Sequence, residues 1–183
     1  MVRSTLTLLA MAALAAILLH VDFGTAHPAP PDGRHVFSIV DDLESYSINS
    51  SRTKFLLTAA QSGGRFSIVD ETFYPGMDSR PGHTHTYHSE VFYVMTGEME
   101  WTVGGEVQLL GPGDLVYIPP GTLHATRVMG DEPVHALMIF EPGGYEHGYF
   151  ARSALTDEDR QNPDKMKDLR TIMDVVPAPR PNQ

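Results

Sequence analysis

The sequence contains no cysteine, which excludes both a disulfide framework and the lipid-attachment cysteine of a bacterial lipoprotein. Basic residues are scarce, 13 Lys and Arg against 23 Asp and Glu, for a net charge of −10. The average field therefore repels phosphate backbones and anionic lipid surfaces, and nucleic acid is excluded as a partner. Long apolar runs are absent apart from Leu6 to Val21, interrupted only by Thr7 and His20. That run falls short of the roughly 20 residues a spanning helix needs. It follows Arg3 and precedes the small residues Gly24-Thr25-Ala26, so residues 1–26 read as an export signal cleaved after Ala26. The expectation is a secreted or extracytoplasmic chain with no stable membrane insertion after cleavage.

What remains suits one β-rich domain. The length of 183 residues supports one well-buried core, and 42% hydrophobic with 20% charged residues is ordinary for a globular protein. Residues 27–34, rich in Pro and Gly, form a flexible lead-in. From 35 to 150 short runs of Val, Ile, Phe, Tyr and Thr alternate with Gly and Pro, which predicts antiparallel strands. The strands are expected at Val36 to Val40, Lys54 to Ala60, Arg65 to Tyr74, Gly82 to Thr86, Glu90 to Thr96, Glu98 to Val103, Glu106 to Leu110, Leu115 to Ile118, His124 to Val128 and Val134 to Phe140. So many short, closely linked strands suit a jelly-roll barrel, which leaves few open edges. Residues 151–183 form a helical segment and tail. Thr156 reads as an N-cap, and Asp164 to Val176 places Met166, Leu169, Ile172 and Met173 at helical spacing. This stripe and the barrel's edge strands make a homodimer an expectation. Asn49-Ser50-Ser51 matches the glycosylation acceptor pattern.

The chemistry concentrates in a few histidines. His83 and His85 stand two apart in an expected strand, so their imidazoles share a face. Glu90 returns from the next strand, and His124 follows the rigid turn Pro119-Pro120-Gly121. Three neutral imidazoles with one carboxylate suit one divalent transition metal, Fe, Mn, Ni, Cu or Zn, rather than Ca or Mg. His88 fits an orienting or loop role better than a ligand's. His35, His135 and His147 have no spacing that recruits them. Strand alternation puts Phe92 on the face of Glu90, which makes it the pocket candidate, with Tyr87 and Trp101 beside it.

One block reads Gly82-His83-Thr84-His85-Thr86-Tyr87-His88-Ser89-Glu90 followed, after six residues, by Gly97; a second runs Gly113-Asp114-Leu115-Val116-Tyr117-Ile118-Pro119-Pro120-Gly121-Thr122-Leu123-His124. Together these blocks resemble the cupin family. The resemblance extends from about Lys54 to Glu146 and is similar in detail to single-domain quercetin 2,3-dioxygenase-like proteins. It implies a cupin jelly roll in which His83, His85, Glu90 and His124 ligate the metal and Glu90 is the catalytic residue that takes a substrate hydroxyl proton. The second block commonly ends in Asn four residues after its His, where this chain has Val128. The resemblance implies a small enolic or phenolic, flavonol-like substrate and dioxygen. The same site also serves a metal-dependent isomerase, cyclase or decarboxylase without dioxygen, or a non-catalytic binding module, because fold does not choose among these.

Overall fold

Alternation decides which way each strand faces. In Ser67–Phe73 the residues Ser67, Val69, Glu71 and Phe73 are buried, and in Val134–Glu141 so are Val134, Ala136, Met138 and Phe140. The intervening side chains are half-buried or exposed, as expected for sheets with one face on the core. The computed structural model describes residues 35–48, 50–76 and 80–178. The export signal at 1–26, the lead-in at 27–34, the Asn49 acceptor and the end of the tail lie outside the described residues.

The strands are β1 (Tyr46–Ile48), β2 (Ser51–Leu57), β3 (Ser67–Phe73), β4 (Arg80–His85), β5 (Ser89–Thr96), β6 (Glu98–Val103), β7 (Glu106–Leu110), β8 (Leu115–Ile118), β9 (His124–Met129), β10 (Val134–Glu141) and β11 (Val175–Pro177). The helices are α1 (Ala59–Ser62), α2 (Glu146–Ser153), α3 (Asp157–Gln161) and α4 (Pro163–Ile172). Two antiparallel sheets, ordered β1-β2-β3-β10-β5-β8 and β11-β4-β9-β6-β7, make the jelly roll. Between them lies an aromatic core in which Phe92 packs on Trp101, ring centroids 4.4 Å apart, and on Phe73. Among the described residues no helix is long and apolar enough to cross a membrane.

Three expectations are corrected. Val36 to Val40 is not a strand; the chain there is irregular and ends in a 3-10 turn at Val40–Asp42. It meets β2 beyond the stretch Ser51–Thr53 that β1 pairs, and does so through side chains: Ser38 Oγ donates to Leu56 O, and Lys54 Nζ donates to Val40 O. β-rich composition makes a strand only where a backbone partner pairs with it. Ala59 and Ala60 belong to α1, not to the preceding strand, because Thr58 and Gln61 form a reciprocal capping box. The helix expected through Val176 stops at Ile172, and Val175–Pro177 pairs with β4 instead. The helix α2 was not expected as a separate element.

The C-terminal helices pack on the chain's own barrel. Leu169 and Met173 are buried, Met166 is half-buried, and only Ile172 of the stripe is exposed. The stripe therefore has an internal partner, which removes the helical half of the argument for a dimer. Close approach here depends on Gly148 in α2. A Cβ at that position would stand 1.9 Å from Met173 Cγ, far inside van der Waals contact.

Candidate metal centre

Register brings the four singled-out residues together. His83 on β4 pairs directly with His124 on β9, while His85 lies one inward position further along β4. Glu90 near the start of β5 reaches the same interior from the opposite sheet, between Phe140 of β10 and Ile118 of β8. The turn before His124 works as its sequence suggests: Thr122 N–H donates to Pro119 O at 3.3 Å, and Gly121 adopts φ +77°. That pairing of Pro and left-handed Gly is a type II turn. Gly121 N–H also donates to His85 O at 2.7 Å, tying the turn to β4.

All four side chains are buried, and one potential ligand atom from each lies within 4.8 Å of the others. His85 Nε2 stands 3.0 Å from Glu90 Oε1, and His124 Nε2 stands 3.2 Å from Glu90 Oε2. These separations are short, yet His85 Nε2, His124 Nε2 and Glu90 Oε2 lack a hydrogen bond of acceptable direction. The far side of each ring explains this. His85 Nδ1 donates to Asp174 O at 2.8 Å, and His124 Nδ1 donates to Thr122 O at 2.9 Å. A carbonyl only accepts, so the proton of each neutral imidazole sits on Nδ1 and Nε2 presents a lone pair. Lone pairs facing a buried carboxylate repel unless a cation stands among them.

A proton or a metal can be that cation. When protons serve, burial opposes the charged imidazole at His85, but Glu90 beside it and the Asp174 carbonyl outweigh that and raise its proton affinity. Burial likewise favours the neutral acid at Glu90, but contacts with His124 and His85 hold its carboxyl well below the usual range. A divalent transition ion replaces the protons with stronger bonds. The donor set of imidazole nitrogen and carboxylate oxygen fits such an ion, and the carbonyl partners on Nδ1 are the supports that metal-binding histidines usually have.

Residues 69–140 match the family model described as Cupin domain. Their fold is the cupin jelly roll. Over 75 residues the chain is 40% identical to quercetin 2,3-dioxygenase of Bacillus subtilis, a match covering 39% of this chain and 22% of that protein. Over 61 residues it is 39% identical to dimethylsulfoniopropionate lyase DddQ of Ruegeria pomeroyi, covering 33% of this chain and 29% of the lyase. The chain thus spans less than a third of the length of either curated relative. Among solved structures, an RmlC-like cupin from Shewanella frigidimarina superposes with a TM-score of 0.52 at 24% identity, over 60% of this chain and 93% of that one. KdgF from Halomonas sp. does so with 0.52 at 23% identity, over 58% and 94%. Cupin homologues are often enzymes and bind metal, and the buried His and Glu cluster is what such a protein needs.

The pocket expectations fare differently. Phe92 and Trp101 lie in the core, each 1% exposed, and pack against each other; Trp101 also borders a cavity between β6, β7 and β8, away from the four clustered residues. Alternation put Phe92 on the correct face, but inward in a small barrel means core. Tyr87 is 73% exposed. His88 Nδ1 lies 3.2 Å from Asp174 Oδ2.

Asp174 and Tyr145 were missed. The Asp174 carboxylate accepts from Tyr87 N–H at 2.6 Å and His88 N–H at 3.2 Å, while its carbonyl accepts from His85. Burial alone would raise its carboxyl, but the backbone donors of Tyr87, Thr86 and His88 lower it below its ordinary value. Asp174 adopts φ 52°, a left-handed conformation that Asp tolerates better than most residues. Tyr145 stacks on Phe140 with centroids 3.9 Å apart and stands edge-on to His85 at 5.8 Å. A single helical period running past Asp174 hid the first. The second lies at the end of the stretch that resembles the family, with no spacing of its own to single it out.

Proposed function

We propose that this chain is a metal-dependent cupin enzyme holding one divalent transition ion on His83, His85, Glu90 and His124, and acting as a dioxygenase on a small enolic or phenolic substrate. The carrying observation is the buried convergence of these side chains, with Nε2 lone pairs of His85 and His124 aimed at Glu90. Similarity to a quercetin dioxygenase supports the choice of reaction. When bound, the ion supplies Lewis acidity that stabilises negative charge developing on a substrate oxygen. Glu90 Oε2, which lacks a well-directed hydrogen bond, takes the hydroxyl proton. Burial favours the neutral acid that results, provided His85 and His124 carry no proton on Nε2. Phe92 and Val94, inward on the same strand, keep water from that side.

A second reading keeps the site and omits dioxygen, and the likeness to a lyase favours it. Dioxygen uptake by protein loaded with each candidate ion, in the presence of quercetin, separates the two. Uptake matched to loss of flavonol supports the dioxygenase; turnover of a wider enol and carboxylate panel at constant dioxygen moves the assignment to the second reading. No turnover with any ion overturns both. The charged start and apolar run of the sequence support an extracytoplasmic setting for the reaction. Val107 and Leu109 on β7, with Leu115 and Tyr117 on β8, are exposed on edge strands and support a homodimer formed there.

Asp174 offers a separate check on the site. Asp174→Ala leaves all four ligands in place but removes the anchor for the Tyr87 and His88 amides. Metal affinity is expected to fall roughly 10- to 100-fold, the usual effect of losing a residue that orients a ligand. Asp174→Asn keeps an acceptor oxygen and tolerates the left-handed backbone, so it should recover much of the loss. Competition with a chelating dye measures both.

A further inference from the structure

A cavity of about 340 Å³ opens between the C-terminal segment and the barrel, and His83 is one of its walls. Its volume falls in the lower range of small-molecule pockets. Most of its wall is apolar: Met166, Leu169 and Met173 from α4 and its cap, with Val175 of β11 opposite. Two arginines break that surface, Arg152 from α2 and Arg170 from α4. Both residues are half-buried. Among the described residues neither has an ion pair, and Arg152 has only a 3.8 Å contact from Nη1 to Met166 Sδ. In a chain with ten excess negative charges, two arginines without a carboxylate beside an apolar wall are conspicuous. Partial burial makes an uncompensated cation costly, and a carboxylate seated between the two would offset that cost through charge-assisted, fork-shaped hydrogen bonds.

We propose that this cavity binds a small organic carboxylate, its anionic group held by Arg152 and Arg170 and its apolar body lying along Met166, Leu169 and Met173. His83 on the wall would bring the far end of such a molecule beside the cluster. Only this last link rests on the metal-centre reading; anion binding itself does not. The placement also gives the C-terminal segment a reason to be built as it is, since α2, α4 and β11 together supply the cavity's cover and both of its positive charges.

Titration calorimetry on the full chain tests the proposal, with hexanoate, benzoate and 3-phenylpropanoate each compared with its primary amide. At least one carboxylate should bind roughly tenfold or more tightly than its amide, the scale of hydrogen bonds to a charged group. Arg170→Gln should remove that preference, and Arg170→Lys should keep part of it. Arg170 is the cleaner probe because Arg152 also borders a second cavity beneath Tyr46. The proposal is overturned if no carboxylate in the panel binds better than its amide, or if the preference survives in the Arg152→Gln, Arg170→Gln double variant with folding confirmed by circular dichroism. Repeating the titration on chelator-treated protein separates the two readings. Carboxylate binding that persists while no metal can be loaded sinks the metal centre and leaves the pocket; metal loading without carboxylate preference does the reverse.

Discussion

Replacing His85 or His124 with alanine is expected to abolish stoichiometric metal binding. Each change removes one of four protein donors from a site where the remaining atoms are already placed by register and turn. Both imidazoles are buried and supported on Nδ1 by a carbonyl, which means that the ordering cost is met by the fold rather than by the metal. The loss should exceed the roughly 10- to 100-fold that follows removal of a merely orienting residue. His88→Ala is the matched control. It deletes an imidazole in the same region whose contact is with Asp174, and the occupancy should stay close to that of the unaltered protein. Elemental analysis after dialysis against a weak chelator reads the difference. Unchanged metal content in both the His85 and His124 variants would refute the site.

Glu90→Gln should cost roughly 100- to 10,000-fold in turnover per bound metal, the usual contribution of a general base. The substitution preserves shape and one oxygen but removes the charge and the proton-accepting site. Its surroundings make the change a clean one for packing, because the residue is 3% exposed and held by β5 between β10 and β8. Two effects must be kept apart. Loss of charge weakens metal binding, so activity is normalised to the ion found in each sample. Without metal, the variant should also release the raised proton affinity of His85, since Glu90 is the main group holding that imidazole above its ordinary value against burial. Nuclear magnetic resonance titration of the metal-free protein follows this directly: the His85 transition should move to lower pH in Glu90→Gln. Full metal-normalised turnover in the variant would end the assignment of Glu90 as base.

Much of this protein was determined by local sequence. The strands Glu98–Val103, Glu106–Leu110 and Leu115–Ile118 end where turn residues stand, at Gly104-Gly105 and Gly111-Pro112-Gly113. Period-two alternation then set which side chains face the core, Glu90 and Phe92 included. The four clustered residues were legible for the same reason, because spacing within a strand and a Pro-Gly turn are local constraints that the tertiary structure inherits. What local sequence could not decide was competition for partners. Val36 to Val40 has strand composition but meets β2 through the Ser38 and Lys54 side chains and not through a backbone ladder. Phe92 faces inward, yet whether inward means a pocket or a core depends on what the opposite sheet places there, and it places Trp101 and Phe73. The position of the C-terminal segment was equally out of reach. Residues 174–177 lie about ninety positions from the β4 histidines, and only folding shows that β11 pairs with β4, that Asp174 O receives the His85 proton, and that Arg152 and Arg170 meet across one cavity. Contacts so distant in sequence leave no periodic trace, because each side is satisfied by a partner that its own neighbourhood does not contain.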